Sequence, residues 1–261
     1  MFHPTAVISK KAKIHSSVEI GPFCIIDDNV NISEGNKLIS NVHITGNTTI
    51  GLNNTFYPFT SIGHIPQDLK YKGEKSFLSI GDNNTFRENV TVNPGTEGGG
   101  LKTVIKNNNL FMVGTHIAHD CIINSNIVMA NNATLAGHVE IYDNAILGGN
   151  CGVHQFVKIG KFAMIGGMSG VGKNIIPYGL YTGIRENLKG INLIGLKRKG
   201  LDTIKINKID KAVKEIFNES NSIEKNIAKL NKEYLEISEI GEIIEFINKF
   251  QKRGICKYID D

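Results

Sequence analysis

An apolar residue recurs at every sixth position through most of this chain. Phe2, Ile8, Ile14, Ile20, Ile26, Ile32, Leu38, Ile44, Ile50, Phe56 and Ile62 run without a break. Ile80, Phe86 and Val92 resume the rhythm after one interruption, and Ile105, Phe111, Ile117 and their successors carry it to Ile165 and Val171 after a second. The fifth place of each hexad is often small or β-branched, as at Ala6, Val18, Val42, Thr48, Ala133 and Val139, and Gly, Asn or Asp crowd the remaining places. A period of six fits neither a helix at 3.6 nor a free strand at 2. It fits short strands joined by tight corners, with one large residue per side pointing inward and Gly or Asn taking the positive φ of the corners. One such turn buries little; turns stacked about 4.8 Å apart satisfy each other's backbones and make a continuous core. The pattern predicts an all-β domain over residues 1–186, a parallel β-helix of three-sided turns.

Two insertions break the rhythm, GHIPQDLKYKGEKSF from Gly63 to Phe77 and NPGTEGGGLKT from Asn93 to Thr103, giving loops near 63–79 and 93–104. Insertions into a solenoid tend to collect on one face, often the binding face. The first carries Gln67, Asp68, Lys70 and Tyr71, a set suited to sugar hydroxyls and phosphate. From about Asn187 the hexads stop and helical spacing begins. Ile206, Ile209, Val213, Ile216 and Phe217 share a face behind an N-cap at Asp202; Ile223, Ile227, Leu230 and Tyr234 follow a cap at Ser222; Ile240, Ile243, Ile244 and Ile247 make a third helix before Gly254. A small α-helical domain over residues 187–261 is therefore expected after the column.

Within the column, three histidines keep step with the repeat. His119 lies two past Ile117, His138 three past Leu135 and His154 one past Val153, and 117, 135 and 153 are spaced by 18. All three therefore belong to one side of three successive turns. A neutral imidazole accepts a proton from a hydroxyl at physiological pH. Asp120, next to His119, is placed to orient that ring provided a corner turns the two side chains together. Eighteen residues beyond His119 is Gly137, whose amide suits a developing oxyanion. A base and an oxyanion donor on neighbouring rungs make an acyl-transfer site. With no GxSxG elbow and no Cys–His pair, direct attack by the acceptor is favoured over an acyl-enzyme.

Composition narrows the class. The 261 residues contain no apolar run near the ~20 residues of a membrane span and no signal-peptide core at the start. The cysteines Cys24, Cys121, Cys151 and Cys256 are scattered, so disulfides and zinc fingers are poor readings; a reducing cytoplasm is expected, with Cys24 and Cys121 as inward packing residues. The net charge is +4, yet Arg185 to Lys214 alone carries nine Lys or Arg against three acidic residues. That run is either a solvated face or a landing site for an acidic partner. Without interleaved aromatics it does not point to nucleic acid.

The hexads resemble those of the hexapeptide-repeat acyltransferases, whose members are left-handed parallel β-helices; handedness here comes from that resemblance alone, since parallel crossovers generally favour the right hand. The motifs HIAHDC (His116 to Cys121), ANNATLAGHV (Ala130 to Val139), VHQF (Val153 to Phe156), QDLKY (Gln67 to Tyr71) and NLIGLKRKG (Asn192 to Gly200) resemble the acyl-carrier-protein-dependent UDP-N-acetylglucosamine O-acyltransferase family of lipid A synthesis over nearly the whole chain. The resemblance implies His119 as general base on the sugar 3-hydroxyl, Asp120 as its orienting partner and Gly137 as oxyanion donor. It further implies Gln67, Asp68, Lys70, His116, His138, His154, Gln155 and Arg198 around the sugar nucleotide or its acylated product, with Asn192 at the same pocket. Lys197, Arg198 and Lys199 would meet the acyl carrier protein, whose phosphopantetheine delivers the acyl group. No other cofactor and no metal are implied, and a homotrimer with sites between subunits is.

Some positions depart from relatives. Ile194 stands where some carry a glutamate. Gly167 stands where short-chain relatives carry a bulkier residue, leaving an acyl groove open. Arg185 stands where some long-chain relatives close the groove with a histidine. Acyl length, 3-hydroxylation and the choice between a 3-hydroxyl and a 3-amino acceptor stay open. Three rivals stand beside this reading: the sister N-acyltransferase, whose extra leading domain the hexads from Phe2 leave no room for; a zinc enzyme like the gamma-type carbonic anhydrases, built on three His; and a bare β-helix scaffold or ice-binding protein, which would need rows of Thr.

Overall fold

The computed structural model describes residues 1–183, 187–250 and 253–258. Strands of mostly two residues recur at the expected period. Val7–Ile8, Lys13–Ile14 and Glu19–Ile20 make the first turn, and each pairs in parallel with the strand eighteen residues on, Val7 with Ile25 and Ile8 with Ile26. Among the described residues the strands form three sheets of nine, eight and eleven strands, the faces of one column. The first face runs from Val7–Ile8 to Gly170–Val171, the second from Lys13–Ile14 to Lys158–Ile159, and the third upward from Glu19–Ile20.

Every large hexad residue from Ile20 to Val171 is buried. Phe56, Phe86 and Phe111 stack along the axis with ring centroids 4.8 and 4.9 Å apart. Corner residues take the left-handed conformation, and asparagine is a frequent choice, as at Asn29, Asn126, Asn132 and Asn144, with φ from 59 to 62°, a region where Asn costs little. The fifth places also hold a buried asparagine ladder. Asn36 Oδ1 accepts from the amide and side chain of Asn54, Asn54 Oδ1 from those of Asn84, Asn84 Oδ1 from the Asn109 amide and Asn109 Oδ1 from the Ile127 amide, at 2.7–3.0 Å. These side chains replace backbone partners that the corners leave out.

Both insertions leave the column at the corner between the first and second faces. The strands Ser61–Ile62 and Phe77–Ile80 bracket the first; Thr91–Val92 and Lys102–Ile105 bracket the second. His119, His138 and Gln155 lie at that same corner a few rungs up.

The column ends differently from expectation. Gly179–Tyr181 adds to the third face, and Asn187–Ile191 returns antiparallel to it, so residues 187–191 form a strand where helical spacing was expected. Backbone pairing to an open sheet edge wins over the side-chain pattern there. Among the described residues five α-helices follow, α1 (Leu193–Arg198), α2 (Thr203–Ile216), α3 (Ile223–Lys229), α4 (Lys232–Leu235) and α5 (Ser238–Lys249). Asp202 and Ser222 cap α2 and α3 as expected, accepting from Lys205 and Lys225. The second expected helix does not reach Tyr234 intact. Asn231 accepts from the Glu233 amide at 3.1 Å and starts α4 afresh. Helix α5 lies against the column through Phe246 on Tyr142 and through Glu242 with Tyr178 and Lys161.

The basic segment is less open than its local count suggested. Lys199 and Lys205 both reach Glu239 at 2.8 Å, Lys208 pairs with Glu233 and Lys214 with Asp210. Two of these acids come from later helices, which a count along the segment overlooks. All four cysteines are buried, and Cys24, Cys121 and Cys151 are free thiols. No described helix is long and apolar enough to cross a membrane.

Candidate active site

His119 follows the strand His116–Ile117, and Asp120 takes φ 59° at the corner. That left-handed step turns two adjacent side chains toward each other. His119 Nδ1 lies 2.8 Å from Asp120 Oδ2. Facing a carboxylate, Nδ1 carries the proton and Nε2 keeps its lone pair. The carboxylate is held in turn by the second insertion: Thr96 donates its amide to Oδ1 at 2.9 Å and its hydroxyl to Oδ2 at 2.6 Å. From the next rung Thr103 Oγ1 accepts the Asp120 amide at 2.8 Å. Thr96, His119 and Asp120 are all buried.

Gly137 packs directly over the ring. A Cβ on Gly137 would lie 2.3 Å from His119 Cε1 and 2.5 Å from Nε2, so only glycine fits above this imidazole. Its amide meets no acceptor among the described residues and borders the same cleft as His119. Gly99 closes over the other side, where a Cβ would come within 2.0 Å of Asp120 Cγ. The middle glycine of the second insertion's triplet thereby has a steric reason that the sequence did not disclose.

The cleft has a volume of about 600 Å³ and is bordered by Gln67, His116, His119, Gly137, His154 and Gln155, among others. Asp68 comes down from the first insertion to place Oδ2 3.9 Å from His119 Nε2. The Lys70 amide donates to Asp68 Oδ1 at 3.0 Å, while the Lys70 side chain is exposed. His116 Nδ1 meets Thr91 Oγ1 at 2.7 Å. His138, at φ 63°, stacks on Phe156 at 4.2 Å and stands edge-on to His119 at 5.0 Å. Burial pushes the pKa of both His116 and His138 below the ordinary 6.5, so these imidazoles stay neutral at pH 7.

His119, Asp120 and His138 bring ligand-type atoms within 4.8 Å of one another, the kind of group the zinc reading needs. Asp120 Oδ2 already accepts from both Thr96 and His119, however, and Oδ1 accepts from the Thr96 amide. The arrangement suits proton transfer better than metal ligation.

A family model described as UDP N-acetylglucosamine O-acyltransferase, domain 2, matches residues 174–256. An acyl-[acyl-carrier-protein]–UDP-N-acetylglucosamine O-acyltransferase of Thermodesulfovibrio yellowstonii is 49% identical over 255 residues, covering 98% of each chain. The chain belongs to this family of acyltransferases. Two solved structures agree with it. LpxA from Acinetobacter baumannii superposes with a TM-score of 0.94 at 42% identity over 98% of this chain and 99% of that one. The UDP-N-acetylglucosamine O-acyltransferase of Moraxella catarrhalis RH4 gives 0.94 at 41% identity, again over 98% and 99%.

Not every residue expected from the acyltransferase motifs meets at the histidine cleft. Asn192 and Arg198 border a second cleft of about 830 Å³ on the third face, with Ile194 and Phe162. Asn192 therefore does not share the His119 pocket within one chain. It follows a third-face strand, and its side chain is spent capping α1 at Gly195 and donating to Phe162 O at 2.8 Å. Lys197, Arg198 and Lys199 are all exposed residues, but the Lys199 amine reaches Glu239 and donates to Tyr178 Oη at 3.1 Å, which ties α1 to α5. Gly167 lines neither cleft; it lies at the corner between the third-face strand Met164–Ile165 and the first-face strand Gly170–Val171, and a Cβ there would meet Gly149 O at 3.2 Å. Arg185 lies outside the described residues.

Sequence reasoning missed Thr96, Thr103, Gly99 and Phe156. Only Phe156 left a signal, as a bulky residue at a positive-φ corner of the kind where asparagine is the commonest choice; Thr103 fits the β-branched run of fifth places.

Proposed function

We propose that this acyltransferase moves a (3-hydroxy)acyl chain from the phosphopantetheine thioester of acyl carrier protein to the 3-hydroxyl of UDP-N-acetylglucosamine, the first step of lipid A synthesis. The observation that carries the mechanism is the buried Thr96–Asp120–His119 chain of hydrogen bonds beneath the Gly137 amide. His119 Nε2 takes the proton of the sugar hydroxyl as its oxygen attacks the thioester carbonyl. Asp120 holds the ring in register and balances the imidazolium charge. The tetrahedral oxyanion receives the Gly137 N–H. Collapse breaks the carbon–sulfur bond, and the departing thiolate recovers the proton from His119, leaving an ester and a free thiol. An acyl-cysteine route has no support, because all four cysteines are buried and burial pushes the Cys121 thiol up to about 12.

Gln67, Asp68, Lys70, His116, His138, His154 and Gln155 would surround the sugar nucleotide and acyl thioester on this cleft. Asn192 and Arg198 would complete it from a neighbouring copy in a homotrimer, which accounts for two half-sites on different faces of one chain. In this reading the column is left-handed and the enzyme works in the cytoplasm, with Lys197 and Arg198 meeting the acidic carrier protein and Gly167 leaving room for a long acyl chain. Offering purified enzyme UDP-N-acetylglucosamine or its 3-amino analogue, with acyl carriers of graded length, tests the substrate assignment. The expected product is the 3-O-ester, read by mass spectrometry. Exclusive amide formation would overturn it.

A further inference from the structure

The chain beyond α5 returns to the column. Asn174 receives it on three sides: its side chain donates to Phe250 O at 2.8 Å, its amide to Gly254 O at 3.1 Å, and its carbonyl accepts from Cys256 at 2.8 Å. Beside this junction Arg253 reaches across to His154, and Nη2 lies 2.6 Å from the imidazole Nδ1. His154 borders the catalytic cleft, two strands above His119 on the first face.

The identity of the donor fixes the proton. A guanidinium stays protonated in proteins and has donors only. Nδ1 of His154 must therefore be the acceptor, which leaves the ring proton of neutral His154 on Nε2. The contact of Nδ1 with Gln155 O, at 3.4 Å, is too long to reverse this. His119 has the opposite arrangement: its Nδ1 faces the Asp120 carboxylate at 2.8 Å, so its Nε2 carries the lone pair. An anion behind one histidine and a cation behind the other set the two rings to opposite tautomers on one wall.

We propose that Arg253 is a positioning residue that holds His154 as the Nε2–H tautomer, a fixed donor to a carbonyl or phosphate oxygen of substrate in the cleft. This rests on the acyl-transfer reading for what His154 contacts, but not for the state of its ring. The C-terminal segment thereby serves the active site rather than merely closing the column. Nε of Arg253 is buried without a partner, and no carboxylate pairs with this guanidinium among the described residues. The arginine's committed hydrogen bond is the one to His154.

The test uses the whole protein with 15N-labelled arginine and histidine, His154 being assigned by its absence from His154→Phe. The proposal requires a proton on Nε2 and a coupling across the hydrogen bond from Arg253 to Nδ1. A proton on Nδ1 of neutral His154 overturns it, whether or not His119 proves to be the base. In turnover, Arg253→Met is expected to raise KM for the substrate that His154 contacts about five- to tenfold, the loss of one oriented hydrogen bond, with a smaller change in kcat. Arg253→Lys, which keeps a cationic donor, should recover most of that. In a His154→Phe background Arg253→Met should add nothing, whereas a purely structural role gives additive losses and contradicts the proposal. If Arg253→Met does not fold, the spectrum of the unmutated protein still decides.

Discussion

Thr96 grips both oxygens of Asp120, through its amide at 2.9 Å and its hydroxyl at 2.6 Å, from a loop 24 residues earlier in the chain. A carboxylate so held cannot swing away from His119, and it presents one defined oxygen to Nδ1. The second insertion is thus the clamp of the His119–Asp120 pair. Thr96→Val keeps the shape and the amide bond but removes the hydroxyl. With a hydrogen bond to a charged group worth about 1.5–3 kcal/mol, kcat/KM should fall about 10- to 100-fold. The thermal midpoint should barely move, and Thr96→Ser should restore most of the rate. A Thr96→Val enzyme within twofold of the parent would show that Asp120 needs no such clamp.

Gly137→Ala should be as damaging for a different reason. The new Cβ would sit 2.3 Å from His119 Cε1, so the imidazole must move by about an ångström or the rung must shift. Misplacement on that scale costs about 100-fold in rate. Steady-state kinetics together with circular dichroism would separate this from unfolding, because the inward residues of the column are untouched.

How far the sequence discloses this enzyme depends on the lattice. Where the hexad runs, position follows from arithmetic: 117, 135 and 153 stack, and Gly137 lies over His119 because 18 residues make one turn. Where the lattice stops, so does the arithmetic. Thr96 and Gly99 belong to an insertion with no register, and Arg253 reaches a histidine 99 residues earlier. Lys199 and Lys205 looked like free cations because Glu239, which pairs with both, lies on another helix. The asparagine ladder was hidden by a simpler cause. Its members occupy fifth places whose majority is small or β-branched, and only backbone partners reveal why an amide belongs there.

That ladder gives a stability prediction far from the chemistry. Asn54 is fully buried, and its Oδ1 accepts from both the amide and the side chain of Asn84. Asn54→Leu would strand those donors and leave Asn36 Oδ1 without the Asn54 side chain. A cost of about 3 kcal/mol is expected, read as a lower thermal midpoint, with kcat of the folded enzyme unchanged.

Glu239 supplies a pH dependence. Burial alone would raise its pKa, but hydrogen bonds from Lys199 and Lys205 outweigh that and hold it down to about 2, against an ordinary 4.5. The unfolded chain therefore takes up the proton first as acid is added. The stability this carboxylate contributes is complete above pH 4.5 and is lost progressively toward pH 2. Glu239→Gln should lower the thermal midpoint at pH 7 and flatten its fall across that window. A parallel fall in both proteins would remove Glu239 from the acid response.

The role of His119 as the proton acceptor is tested most directly by single-turnover rates of His119→Gln with UDP-N-acetylglucosamine and acyl carrier protein loaded with a 3-hydroxyacyl chain. The account predicts a rate at least about 100-fold lower, on the scale of lost general-base catalysis, in a protein whose thermal midpoint matches the parent's. A His119→Gln enzyme that transfers the acyl group at near-parental rate would contradict it.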